Sequence, residues 1–238
     1  PNGLNINGNV GATAPRALAD AVLAHRADLG LALDGDADRI LMVDAEGSLY
    51  DGDQLLFAIV RSRALKAPVA GVVGTLMSNL ALEHALANLG IPFARAAVGD
   101  RYVVEMLNQN GWLFGGENSG HILTLDRHST GDGIVAALQV LAAMREAKVD
   151  LKSLLSSVVL YPQQLINVPV PKGFSWRECP AIAEVEINVG KALQGRGRVL
   201  LRPSGTEPLL RVMVEGEDRE EVLQAAEKIA AVVRASAN

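Results

Sequence analysis

Residues 29–44 read LGLALDGDADRILMVD, and residues 111–126 read GWLFGGENSGHILTLD. The two segments align without a gap at one constant offset. Each is an aliphatic run, a polar loop, a second aliphatic run and an aspartate. Short aliphatic runs bounded by polar loops have the pattern of buried strands. A helical pattern precedes each segment. Repetition at this scale implies two related α/β domains that carry different chemistry in equivalent loops. A chance likeness between two hairpins is the plainer alternative.

The neighbouring residues extend the pattern. Thr13 is a good N-cap and Pro15 suits a first turn, so a helix is expected as far as about Arg26. Helices are also expected over 53–65, from a Ser78 cap to a stop at Gly90, over 100–108 before Gly111, and over 132–145. Strands fall at 69–73 and 93–97. Strands alternating with helices predict an open α/β sheet covered on both faces. The character changes near Tyr161 and Pro162. Beyond them come a strand over 165–170, a helix over 181–193, strands over 198–202 and 209–215, and a helix over 218–234. That β-α-β-β-α order suits helices on one face of a small, mainly antiparallel sheet. The expected fold class is α/β: the end of one mixed domain (1–50), a complete related domain (51–160) and a small α+β domain (161–238). Residues 149–160 fit either side of the last boundary. The start at Pro1, running straight into Gly- and Asn-rich sequence, looks like a cut inside a larger protein.

Composition narrows the function classes. With 238 residues, 49% of them hydrophobic, the chain can bury more than one core. A net charge of −5, with Lys and Arg scattered, argues against nucleic-acid binding. Cys179 is the one cysteine, so no internal disulfide forms and a reducing, cytoplasmic setting is expected. The longest apolar stretch, 134–144, is too short to span a bilayer and contains Gln139, and no signal-peptide pattern is visible.

Three loops carry the chemistry. In Asp34-Gly-Asp36-Ala-Asp38-Arg39, carboxylates at alternate positions can converge on one point, where they repel unless a cation sits among them. Hard oxygen ligands select Mg²⁺ or a similar ion. An EF-hand does not fit, because Arg39 stands where glycine is needed and Ala45 where glutamate is needed. A solvated acidic turn is the plain alternative. In Gly115-Gly-Glu117-Asn-Ser119-Gly-His121, an extended backbone would point Glu117, Ser119 and His121 the same way, toward a ring of hydroxyls such as a sugar. An ordinary polar turn with a locally bonded His121 explains the pattern equally well. In Arg202-Pro-Ser204-Gly205-Thr206-Glu-Pro208, followed by Arg211, small residues let amides curl around an anion while two arginines reach it. A hairpin with two surface arginines is the alternative. Gly99-Asp100-Arg101 and Thr130-Gly-Asp132-Gly133 begin helices. Asp100 suits a cap, and the first-turn amides after Asp132 could meet an anion. Both read more simply as structural.

DGDADR, GGENSGH and RPSGTEPLLRVMVEG, in this order and spacing, resemble the metal, sugar and phosphate loops of the α-D-phosphohexomutases. ENSGH, with VGDRYV (98–103) and GTLMSN (74–79) upstream, looks like the phosphoglucosamine mutase branch rather than the phosphomannomutases or phosphoglucomutases. The resemblance covers essentially the whole chain. It implies four domains in the parent protein, of which this chain holds the end of the second and all of the third and fourth. It also implies a phosphoserine in a Ser-His-Asn type loop of the first domain. No such loop occurs in this sequence, and Ser119 does not fit it. The implied reaction interconverts glucosamine 6-phosphate and glucosamine 1-phosphate through a bisphosphate. Mg²⁺ would sit on Asp34, Asp36 and Asp38, with Arg39 adding positive charge beside it. Glu117 and Ser119 would hold sugar hydroxyls, and His121 would hold one or help move a proton. Arg202, Ser204, Gly205, Thr206 and Arg211 would grip the phosphate that is not reacting. The implied partners are a sugar phosphate and the missing N-terminal half of the same protein, and a homodimer is compatible with the sequence. The main rival is a haloacid-dehalogenase-type phosphatase, in which Asp34 of Asp34-Gly-Asp36 would be the nucleophile. That reading leaves the third loop unexplained. A non-catalytic sugar-phosphate-binding module is the other rival.

Overall fold

The computed structural model describes residues 3–204 and 207–237. It divides into two compact units, Pro1–Val159 and Leu160–Asn238.

In the first unit, α1 (Arg16–His25) leads into an antiparallel sheet of β1 (Leu29–Leu33), β2 (Ile40–Asp44) and β3 (Leu49–Tyr50), in that order. Thr13 caps nothing, since Pro15 itself occupies the N-cap of α1. The second sheet contains β4 (Val72–Thr75), β5 (Phe93–Ala96), β6 (Phe114–Gly116) and β7 (Ile122–Thr124), in the order β5-β4-β6-β7. There β4 runs parallel to β5 and β6, and β7 pairs antiparallel with β6. The first unit thus holds two sheets, one before α2 (Gly52–Ala64) in the chain and one after it. Strands joined by short turns pair antiparallel, and only crossovers as long as α3 (Leu80–Asn88) and α4 (Asp100–Asn110) allow the parallel pairs.

The centre of this unit is α2 (Gly52–Ala64). Asp51 closes its start in a capping box with Gln54. The whole run Leu55, Leu56, Phe57, Ala58, Ile59 and Val60 is buried, and each large side chain in it contributes roughly 1.5–3 kcal/mol. The helix packs on α3, α5 (Gly133–Ala147), α6 (Leu151–Leu155), β2 and β6. Residues 149–159 belong with this unit: Arg61 Nη1 donates to the Leu154 carbonyl, and Gln54 Nε2 to that of Val158. Ser78 does not cap α3; its hydroxyl accepts the Thr75 amide, and Asn79 takes the cap.

The repeated segments both form antiparallel hairpins, but their registers differ by one residue. Leu33 pairs with Ile40, whereas Gly116, rather than the equivalent Gly115, pairs with Ile122. The second loop is correspondingly tighter.

The second unit has the expected β-α-β-β-α order: β8 (Gln163–Pro169), α7 (Pro180–Leu193), β9 (Gly197–Pro203), β10 (Leu209–Gly216) and α8 (Arg219–Ala237). β10 is the central strand and is antiparallel to both neighbours. Leu210, Val212 and Val214 face α7 and α8 in a core with Ile182, Val189, Ile229 and Val233. No helix of the described residues is long and apolar enough to cross a membrane.

Candidate functional site

β1 and β2 hold the Asp34–Arg39 loop at their open end. Ala37 has φ +62°, a left-handed conformation that bends the loop back on itself. One oxygen from each of Asp34, Asp36 and Asp38 consequently lies within 4.8 Å of the others. The Arg39 amide donates to Asp34 Oδ1 at 3.1 Å. Arg39 Nε lies 3.5 Å from Asp34 Oδ2 and 3.9 Å from Asp38 Oδ1. Asp38 Oδ1 is buried and has no hydrogen-bond partner. Burial raises the Asp38 carboxyl above its ordinary pKa; the attraction of His121 opposes this, and the Asp34 and Asp36 charges add to it. Three convergent oxygens and one orphaned buried oxygen fit a hard cation, which relieves both the repulsion and the unmet acceptor.

The second loop is a turn, not an extended strand. The Gly120 amide donates to the Glu117 carbonyl at 3.0 Å, and the Glu117 amide to that of His121 at 2.9 Å. The Glu117 carboxylate accepts the Gly99 amide at 2.9 Å, which ties it to the start of α4. The Ser119 hydroxyl is buried without a partner. His121 is only 4% exposed, with Nδ1 at 3.0 Å from Asp38 Oδ2. It faces the acidic loop rather than open solvent.

The two loops are also joined through the backbone. Arg39 and His121 form an antiparallel bridge, and the Ile40 amide donates to the Gly120 carbonyl at 3.1 Å. The Gly133 amide, at the start of α5, donates to the Ala37 carbonyl at 2.9 Å, while Asp132 Oδ1 accepts the amides of Ile134 and Val135. Those first-turn donors are already used, so the anion site considered there does not form. Two glycines outside the three expected loops also serve the site. Gly99 lends its amide to Glu117, and Gly131 lies against the His121 ring, where a Cβ would come within 2.3 Å of Nε2.

In the second unit, Arg202 on β9 and Arg211 on β10 are directly opposite in the strand register. Like charges so placed are destabilising. Both Nε atoms are buried without a partner. Burial, reinforced by Arg211, lowers the Arg202 pKa. Arg211 Nη2 lies 3.4 Å from the Ser204 hydroxyl, so three donor groups gather at one end of the hairpin. Such a pair fits an anion. Gly205 and Thr206, expected to share in it, lie outside the described residues.

Comparison with known proteins points the same way. Residues 51–161 match a family described as phosphoglucomutase/phosphomannomutase, alpha/beta/alpha domain III, and residues 165–232 match that family's C-terminal domain. The phosphoglucosamine mutase of Dechloromonas aromatica (strain RCB) is 77% identical over 237 residues, covering 100% of this chain and 53% of its own length. That of Azoarcus sp. (strain BH72) is 58% identical over 98% of this chain and 52% of its own length. The chain thus spans about half the length of the curated relatives it matches. Among solved structures, Aspergillus fumigatus N-acetylphosphoglucosamine mutase, in complex with GlcNAc-6P and magnesium, superposes with a TM-score of 0.72 at 22% identity, over 97% of this chain and 53% of that one. A phosphoglucomutase/phosphomannomutase family protein from Burkholderia thailandensis gives 0.72 at 18%, over 95% and 51%. Two consecutive domain matches, together covering most of the chain, place it in the phosphoglucomutase/phosphomannomutase family.

Proposed function

We propose that this chain supplies the metal, sugar and phosphate loops of a cytoplasmic phosphoglucosamine mutase whose phosphoserine lies in another part of the same protein. The observation that carries the reading is the convergence of Asp34, Asp36 and Asp38, in a loop bonded to the one that holds Glu117 and Ser119. In the proposed reaction a sugar hydroxyl of glucosamine 6-phosphate attacks the phosphoserine phosphorus. The phosphorus–serine oxygen bond breaks, and the hydroxyl proton is transferred to the serine oxygen. The bisphosphate turns over, and the serine takes back the other phosphoryl group, leaving glucosamine 1-phosphate. Such transfers depend chiefly on positioning and charge neutralisation. Mg²⁺ held by the three aspartates would stabilise the charge on the transferring group. Glu117, fixed by the Gly99 amide, offers an acceptor to sugar hydroxyls, and Ser119 offers a donor. Arg202, Arg211 and Ser204 suit the phosphate that does not react, and Gly205 and Thr206 are proposed to complete that grip. Domain limits at 1–50, 51–160 and 161–238 accord with this assignment of loops.

Asp36→Asn in the full-length protein tests the reading. Turnover of glucosamine 6-phosphate should be lost while the melting temperature is kept, because Asp36 is exposed and supports no packing. Full activity in that variant refutes the assignment. Rates with glucose and mannose 6-phosphates under the same conditions decide the preference for the amino sugar.

A further inference from the structure

His121 ends the second loop, yet its partner is in the first. Nδ1 lies 3.0 Å from Asp38 Oδ2. The other ring nitrogen, Nε2, is buried with no partner and is closed off by Gly131. A hydrogen on Nε2 would be a buried donor with nothing to receive it, so the hydrogen belongs on Nδ1 and the ring donates to Asp38. That bond occupies Oδ2. The other oxygen, Oδ1, has no hydrogen-bond partner and faces the same Arg39 Nε that Asp34 Oδ2 approaches. The ring cannot swing away freely, because the backbone bridge between Arg39 and His121 and the Ile40–Gly120 hydrogen bond fix its root against the acidic loop.

We propose that His121 is a positioning residue: by donating to Oδ2 of Asp38 it holds Oδ1 toward Asp34, and so makes divalent-cation binding depend on the placement of the Glu117–Ser119 loop. The proposal rests on the reading that the three aspartates bind a cation. Coupling of this kind is reciprocal: whatever moves the second loop changes cation affinity, and a bound cation steadies the second loop. Partners behind metal ligands commonly change affinity by about 10- to 100-fold when removed.

The test measures Mn²⁺ binding by the full-length protein, read from the loss of the free-ion electron paramagnetic resonance signal. Four variants are compared with the unaltered protein, and a thermal melt is recorded for each. Asn places a side-chain N–H where Nδ1 stands, whereas Gln places it nearer Nε2. His121→Ala and His121→Gln should weaken binding about tenfold or more, while His121→Asn stays within about threefold. Asp36→Asn should lose binding outright. If the Ala and Gln variants bind like the unaltered protein while Asp36→Asn does not, the cation site stands and the positioning role falls. Equal weakening by Ala, Gln and Asn shows a packing role only, and overturns the proposal. If Asp36→Asn binds normally, or the unaltered protein binds no Mn²⁺, the cation reading fails and the proposal fails with it.

Discussion

Asp53 makes the first unit sensitive to pH in an unusual direction. It sits in the first turn of α2 and is wholly buried. Its Oδ2 accepts the Asn79 amide at 2.7 Å, and Oδ1 is buried without a partner. Burial, followed by the nearby Asp51 carboxylate, pushes its pKa up to about 8, against the pull of the Asn79 amide, the Ser78 hydroxyl and Arg95. In the unfolded chain it titrates as an ordinary carboxyl, near 3.8. Between those values the folded state holds a proton that the unfolded state has released. Stability from this residue is therefore complete below about pH 4 and is lost as pH rises toward 8, at roughly 1.4 kcal/mol per pH unit. From pH 5 to pH 7 the loss is on the order of 3 kcal/mol. Asp51, raised by burial to about 6, acts in the same sense between about pH 4 and 6. Asp53→Asn is neutral at every pH and keeps an oxygen for the Asn79 amide. The assay is urea unfolding at pH 5, 6, 7 and 8, followed through Trp112 fluorescence in a Trp176→Phe background so that only the first unit is reported. The stability of Asp53→Asn relative to the Asp53 protein should improve by on the order of 3 kcal/mol between pH 5 and pH 7. Parallel stability curves for the two proteins across that range would falsify the argument.

Other expectations follow from single contacts. The buried Tyr50 hydroxyl donates to Asp44 Oδ2 at 2.9 Å, so Tyr50→Phe should cost about 1–3 kcal/mol in urea melts by leaving that acceptor unmet; an unchanged midpoint would contradict this. Arg202→Met should stabilise the ligand-free second unit by up to about 1 kcal/mol, by ending the opposition to Arg211, yet weaken sugar-phosphate binding in calorimetry with the full-length protein. Equal affinity would remove Arg202 from the phosphate site. The 238-residue chain alone, given glucosamine 6-phosphate, Mg²⁺ and glucose 1,6-bisphosphate, should form no glucosamine 1-phosphate. Turnover detected by coupled assay would place the nucleophile within the chain.

Local sequence revealed whatever local sequence determines. The two hairpins, the β-α-β-β-α order and the acidic loop all rest on contiguous patterns of aliphatic, small and charged residues. His121 could not be placed this way. Its partner is 83 positions earlier, and the alternation of Glu117, Ser119 and His121 suggested an extended chain where a turn forms. The one-residue change of register between the hairpins was hidden for a related reason: a gapless alignment records residue types, whereas pairing is decided by how tightly each loop turns. Ser78 and Asn79 look alike in the sequence because both residue types cap helices, and they differ in the structure because the Ser78 hydroxyl accepts the Thr75 amide while the Asn79 side chain accepts the Ala81 amide. Gly131 did carry a signal. A glycine beside a polar loop often marks a close approach, and here the approaching group is the His121 ring.

The meeting of the two loops has a consequence for a saturation mutagenesis screen. A methyl group added at Gly52 would lie 2.1 Å from the Glu117 carbonyl oxygen, and one at Gly120 would lie 2.2 Å from that of Ile40. In both places the obstacle is main chain, which has no rotamer into which to retreat. A screen scored on growth should therefore find alanine as harmful at these two silent positions as at Asp36, although neither glycine has a side chain able to touch a ligand. A map of intolerant positions would draw the outline of the backbone seam along with the chemistry. Only a binding measurement on folded variants would tell the hinge plate from the lock.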